Sequence, residues 1–76
     1  MSREEFINYI ESIGFKYIGG YYSSYKYKGC EIEFFNDHYY FFNGSKLVCC
    51  EFNDLKPLEK EFKRELRSIK LKQLLR

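Results

Sequence analysis

Apolar residues change their spacing twice along this chain of 76 residues, and each change marks a change of element. Near the start, Phe6, Tyr9, Ile10 and Ile13 recur every three to four positions, the spacing of one helix face. Ser2 followed by Glu5 forms a capping box, in which the hydroxyl takes the Glu5 amide and the carboxylate reaches back to the Ser2 amide. Gly14 then supplies the left-handed residue that ends a helix, with Phe15 placed to pack back. The pattern predicts a first helix over about residues 3–13.

From Phe15 to Phe52 the period falls to two. The breakers Gly19-Gly20, Lys28-Gly29, Asn36-Asp37 and Asn43-Gly44 divide this stretch into hairpins, so an antiparallel meander is predicted. Two-residue turns at Lys28-Gly29 and Asn36-Asp37 set Tyr27 opposite Cys30, Tyr25 opposite Ile32, Phe34 opposite Tyr39 and Ile32 opposite Phe41. The Asn43-Gly44 turn fits two loop residues or four, and either choice leaves Val48, Cys50 and Phe52 on the side of Tyr39 and Phe41. One face therefore collects Tyr25, Tyr27, Cys30, Ile32, Phe34, Tyr39, Phe41, Val48, Cys50 and Phe52 as the expected core. The other mixes Lys26, Glu31, Glu33 and Glu51 with Tyr22, Phe35, His38, Tyr40, Phe42, Leu47 and Cys49.

Asn53 and Asp54 stand where they would cap a last helix, and Pro57 is tolerated in its first turn, where amides have no intrahelical partner. The helix is expected to run to about residue 74, with Leu55, Leu58, Phe62, Leu66 and Ile69 on one stripe at about 100° per residue. Two helices, each roughly 10 Å wide, cover about 20 Å, which matches four or five strands at about 4.8 Å each. The expected fold is α+β in a single small domain, residues 1–76: a helix, an antiparallel four- to five-stranded β-meander and a long C-terminal helix, with both helices on one sheet face.

Composition explains how so short a chain would hold together. A core of this size rarely supplies more than about 3–5 kcal/mol without staples. Phe and Tyr make up 21% of the residues, and each ring can bury roughly 150–250 Å². Alanine, threonine and tryptophan are absent, proline occurs once, and most of the dominant residues, Phe, Tyr, Ile, Lys, Glu and Asn, have A/T-rich codons. That skew suits a phage or mobile-element accessory protein. The opening Ser2-Arg3-Glu4-Glu5 does not resemble a targeting segment, and no apolar run approaches the roughly 18 residues of a membrane span, so no membrane partner is expected. Three cysteines, two of them adjacent, form no complete disulfide set and point to a reducing, cytoplasmic setting. Asn43-Gly44-Ser45 matches a glycosylation pattern, but the same residues make a turn, and glycosylation is not expected.

The chemistry-bearing residues do not assemble into a site. A two-residue turn at Asn43-Gly44 would set His38 across from Cys49, a conceivable thiolate and imidazole pair, yet nucleophilic catalysis also needs an oxyanion hole and a group orienting the base, and Asp37 points the wrong way. Cys30, Cys49 and Cys50 are spread over both faces with no metal-ligand spacing, and no glycine opens a phosphate loop. Glu31 and Glu33 point the same way, but Lys26 and Ser24 are their cross-strand neighbours, which makes ion pairing on a wet face the expected role. No catalytic residue, metal or cofactor is therefore assigned.

Charge is distributed unevenly. Residues 55–76 hold eight Lys and Arg against three Glu, a net +5, while the remainder stands at −3 within a total of +2. Lys56, Lys60, Lys63, Arg64, Arg67 and Lys70 fall within about 120° of one another on a continuous helix and form a basic ridge. Leu71, Leu74 and Leu75 lie off the core stripe and need covering, by a bend near Ser68 or by another protein or a second copy of the chain. In Tyr25-Lys26-Tyr27-Lys28 rings and cations interleave as in single-strand binders, but strand alternation sends the tyrosines to the core.

The expected function is a non-enzymatic small binding protein that targets another protein, in its most concrete form a phage or mobile-element inhibitor of a host factor. Its contact residues would be Tyr22, Phe35, Tyr40, Phe42 and Leu47 on the open sheet face, with Leu71, Leu74 and Leu75 at the end of the last helix. A protein partner or a homo-oligomer is expected. The rival reading is a nucleic-acid-binding protein that uses the basic C-terminal helix.

Overall fold

The computed structural model describes residues 1–20 and 23–74. Tyr22 and Leu75, two of the expected contact residues, lie outside the described residues. The chain forms α1 (Arg3–Ile13), β1 (Lys16–Gly19), β2 (Ser24–Tyr27), β3 (Cys30–Phe35), β4 (His38–Phe42), β5 (Leu47–Glu51), α2 (Lys56–Glu61) and α3 (Lys63–Leu74). The five strands lie in sequence order in one antiparallel sheet, as a chain of hairpins requires. This is the α+β layout that the spacing predicts.

Local chemistry accounts for each boundary. The Ser2 and Glu5 capping box is present in both directions at the start of α1. At its end the Phe15 N–H reaches the Ile10 carbonyl and the Gly14 N–H reaches that of Glu11, the paired bonds of a Schellman cap. Tyr27 pairs with Cys30 across a two-residue turn, in which Lys28 (φ 46°) and Gly29 (φ 78°) both take the positive φ of a type I′ hairpin. Phe35 pairs with His38 across Asn36-Asp37. The third hairpin holds four loop residues, for Phe42 pairs with Leu47. Asn43 Oδ1 accepts from the Ser45 and Lys46 amides at 3.3 and 3.0 Å, which holds the longer loop.

Alternate strand residues Tyr25, Cys30, Ile32, Phe34, Tyr39, Phe41, Cys50 and the following Phe52 are buried, whereas Tyr27 and Val48, expected with them, are half-buried. Phe6 of α1 stacks on Phe52 at 5.2 Å, lies 4.5 Å from Tyr39 and meets Phe34 edge-on at 5.8 Å. Phe62, after α2, contacts Phe15, Tyr27 and Phe41 at 5.3, 5.7 and 6.1 Å. Rings therefore span the interior from α1 to the α2–α3 junction, and each fully buried one contributes about 1.5–3 kcal/mol. The Tyr39 hydroxyl donates to the backbone carbonyl of Asp54, tying the sheet interior to the segment entering α2. Burial, followed by the nearby Cys50 thiol, pushes its pKa far above the usual phenol range.

The expected C-terminal helix is present as two segments. Phe62 leaves helical geometry (φ −116°, ψ 39°), although its N–H still reaches Leu58 O at 2.9 Å and its carbonyl accepts from Leu66 at 3.0 Å. The chain bends here without a glycine or proline at the bend. Burial of the Phe62 ring among three others offsets the lost regularity. Asn53 and Asp54 both sit ahead of the cap position: α2 begins after Leu55 with no side-chain cap bond there, Asn53 Oδ1 accepts from the Met1 amino group, and Asp54 Oδ1 accepts from the Lys56 amide at 3.3 Å. Beyond the bend, Leu66 and Ile69 are half-buried against the core, and α3 runs beside α1.

Candidate protein-binding surface

Residues on the sheet face away from these ring contacts are ordered by register. Lys26, Glu31, Phe42 and Leu47 follow one another across β2 to β5, and beside them run Ser24, Glu33, Tyr40 and Cys49. Phe35, His38 and Glu51 form a third, shorter row. Phe35, Phe42 and Leu47 are 50%, 41% and 65% exposed, and Tyr40 is half-buried between them. A hollow of about 300 Å³ is lined by Glu33, Phe34, Phe35, Tyr40 and Leu47. A smaller one of about 150 Å³ shares Glu33, Tyr40 and Leu47 with it and adds Glu31 and Phe42. Tyr40 thus stands in the middle of a shallow, ring-lined depression, with the Phe35 ring 6.4 Å from its own.

Carboxylates edge this depression. Glu31 reaches Lys26 Nζ at 4.0 Å, and Glu33 accepts from the Ser24 hydroxyl at 3.4 Å. An exposed pair of this kind is worth at most about 1 kcal/mol, so it positions the carboxylate more than it stabilises the fold. The Cys49 thiol lies directly across from Tyr40 and raises the pKa of its hydroxyl, first through charge and then as a hydrogen-bond partner.

His38 is placed opposite Glu51 and not Cys49, because the four-residue loop shifts β5 by two positions relative to the shorter turn. The conceivable thiolate and imidazole pair is therefore not brought face to face. Among the described residues no three His, Cys, Asp or Glu side chains group closely enough to hold a metal ion. No helix among them is long and apolar enough to cross a membrane.

The bend at Phe62 parts Lys56 and Lys60 on α2 from Lys63, Arg64, Arg67 and Lys70 on α3. Lys63, Arg67 and Lys70 line a groove of about 660 Å³ between α1 and the C-terminal segments, floored by Tyr9, Leu55, Leu66 and Ile69. Arg64, together with Lys63, borders a second hollow with Lys28, Glu61 and Glu65, where Lys28 and Glu65 approach to 3.8 Å. Lys56 and Lys60 lie exposed on α2 and line neither. Leu71 and Leu74 are 55% and 81% exposed at the end of α3. The α1–α3 groove was not foreseen from the sequence, since its walls come from elements more than forty residues apart.

No protein-family model, curated protein or solved structure matches this chain.

Proposed function

We propose that this chain is a non-enzymatic, cytoplasmic protein-binding module whose contact surface is the outward face of β3, β4 and β5. The observation that carries this reading is the contiguous group Phe35, Tyr40, Phe42 and Leu47, three of them 41–65% exposed around one depression. Rings of this kind are the richest source of contact energy in protein interfaces, and a contiguous exposed apolar group marks an interaction site more often than scattered residues do. Glu31 and Glu33 at the edge favour a partner that presents an apolar side chain next to a base. Inhibition of a host factor by a phage or mobile-element accessory protein is the most concrete form of the reading. Its support is an amino-acid composition skewed toward residues with A/T-rich codons, and the base content and neighbours of the coding gene test it.

Affinity capture from native host lysate, with and without nuclease, tests the surface. The wild type should retain one protein regardless of nuclease, and Tyr40→Ala with Phe42→Ala should lose it while keeping a native circular dichroism spectrum. Unfolding of that double variant would place the rings in the interior and refute the open surface. The rival, nucleic acid held by Lys63, Arg67 and Lys70, predicts nuclease-sensitive capture. It also predicts a log-log salt slope of about −2 to −3 for the roughly three phosphates these side chains neutralise.

A further inference from the structure

The two edges of the sheet are built differently. β1 is four residues long, starts with Lys16, ends at Gly19 and carries a register shift between Tyr17 and Gly19. A short strand, a lysine and a bulge are the devices by which sheet edges avoid pairing with another chain. β5 has none of them. It holds Leu47, Val48, Cys49, Cys50 and Glu51 in unbroken register with β4, without proline, lysine or bulge, and no strand lies beyond it among the described residues.

The hairpin chemistry sets which backbone groups that edge presents. A two-residue turn makes Phe35 and His38 a mutually hydrogen-bonded pair, and the alternation of an antiparallel ladder then turns the amides of Tyr39 and Phe41 toward β5. Their partners Cys50 and Val48 bond inward. The Asn43 N–H bond to the Lys46 carbonyl, 3.2 Å, continues the same phase. Leu47, Cys49 and Glu51 consequently direct their N–H and C=O groups away from the sheet, with the Glu51 carbonyl also accepting from Asp54 at 3.0 Å.

We propose that β5 pairs antiparallel with β5 of a second copy of this chain, about a two-fold axis at Cys49. In that register Cys49 exchanges both backbone bonds with its counterpart, and Leu47 of each copy bonds Glu51 of the other, whose carbonyl takes there a second bond beside the one from Asp54. The register that pairs the whole strand also sets each Glu51 opposite a leucine and keeps the two carboxylates apart, which a pairing centred on Glu51 would not. The sheet becomes continuous across both copies. The depressions around Tyr40 then occur as a symmetric pair on one surface, giving a multivalent target two attachment points. The pairing does not depend on what those depressions bind.

Sedimentation of the wild-type chain between about 10 μM and about 1 mM, with amide hydrogen exchange at both ends of that range, tests the pairing. The expected result is a mass that rises toward twice the 9.3 kDa of one chain. The Leu47, Cys49 and Glu51 amides should slow about tenfold at the high concentration. Val48 and Cys50 should be protected at both concentrations. Leu47→Lys with Cys49→Lys places outward charges on the edge and should give a folded monomer. A wild type that stays monomeric throughout overturns the proposal. So does a dimer whose Leu47, Cys49 and Glu51 amides exchange at the monomer rate, because its interface would lie elsewhere, such as the leucines of α3. The exchange measurement needs no variant, so it decides the matter even if the lysine pair fails to fold.

Discussion

Gly14 joins α1 to the sheet at a point where no other residue fits, and Gly14→Ala measures how tightly. Its backbone has φ 135° and ψ 0°, outside the regions open to L-residues with a side chain. A Cβ there would stand 2.6 Å from Cε1 of Tyr27 and 3.0 Å from two further ring atoms. That ring has little freedom to retreat, with Phe15 at 5.6 Å, Phe62 at 5.7 Å and Lys28 Nζ 5.3 Å from its centroid. Backbone strain of this kind costs about 1–3 kcal/mol. Forcing a methyl group against a packed ring costs about 1–3 kcal/mol more. The sum, roughly 2–6 kcal/mol, compares with a total near 4–11 kcal/mol for a domain of this length at the usual stability per residue. Urea unfolding followed by tyrosine fluorescence should show the midpoint falling by about 2 M or more, given a slope near 1 kcal/mol/M. In a Tyr27→Leu background the same substitution should lose the ring contribution and cost only the backbone share. A Gly14→Ala protein within about 0.5 kcal/mol of wild type would refute the geometry of this junction, and an undiminished cost once the Tyr27 ring is gone would refute the role of the ring.

Three further outcomes follow from the interior and the C-terminus. Ile32→Ala removes a fully buried side chain from the centre of the sheet and should cost about 2–5 kcal/mol by the same unfolding assay. Stability should fall above about pH 9. Cys30 and Cys50, whose pKa values are raised chiefly by burial, keep protons in the native state that the unfolded chain releases near 9, and Tyr39 does so above 10. Because the native state holds the additional protons, the slope is negative, about 1.4 kcal/mol per pH unit for each group, and Tyr39→Phe should flatten it above pH 10. Truncation after Ile69 removes Leu71 and Leu74, which are mostly exposed, so it should leave a folded chain with nearly unchanged urea midpoint; unfolding would assign these leucines to the core.

The faces of the sheet were legible because they depend only on parity. Two-residue turns at Lys28-Gly29 and Asn36-Asp37, once recognised, fix which residues stand opposite, and a loop of two or four residues changes the partner but not the side. Tyr39, Phe41 and Cys50 therefore appeared inside before the loop length was known, whereas the neighbour of His38 did not. Asn43 carried the missing signal: an Asn whose side chain accepts from amides two and three residues on holds a four-residue loop, and the following Gly44-Ser45-Lys46 leaves those amides available. The bend at Phe62 had no such signal. No glycine or proline marks it, and its cause is the burial of one ring against Phe15, Tyr27 and Phe41, residues brought together only by the complete fold.

The bend also explains why the surface was harder to infer than the core. A periodic stripe places residues relative to one helix axis, so any departure from that axis leaves the apolar stripe nearly intact but rotates what lies beside it. Leu58 and Phe62 remain inside and Leu66 and Ile69 remain against the core, because each segment turns its own apolar side inward. The cations have no interior to hold them in line. The bend parts only Lys56 and Lys60, on α2, from the cations of α3; within α3, Lys63, Arg67 and Lys70 face α1, while Arg64, about 100° around the helix from Lys63, borders the β2–β3 turn. Burial corrects an error of angle, and solvent does not. On the open sheet face the backbone ladder plays the part that burial plays in the core, keeping Tyr40 between Glu33 and Cys49 and Phe42 between Glu31 and Leu47 whatever the helices do. A contact surface built on that ladder is for this reason better defined than one built on α3.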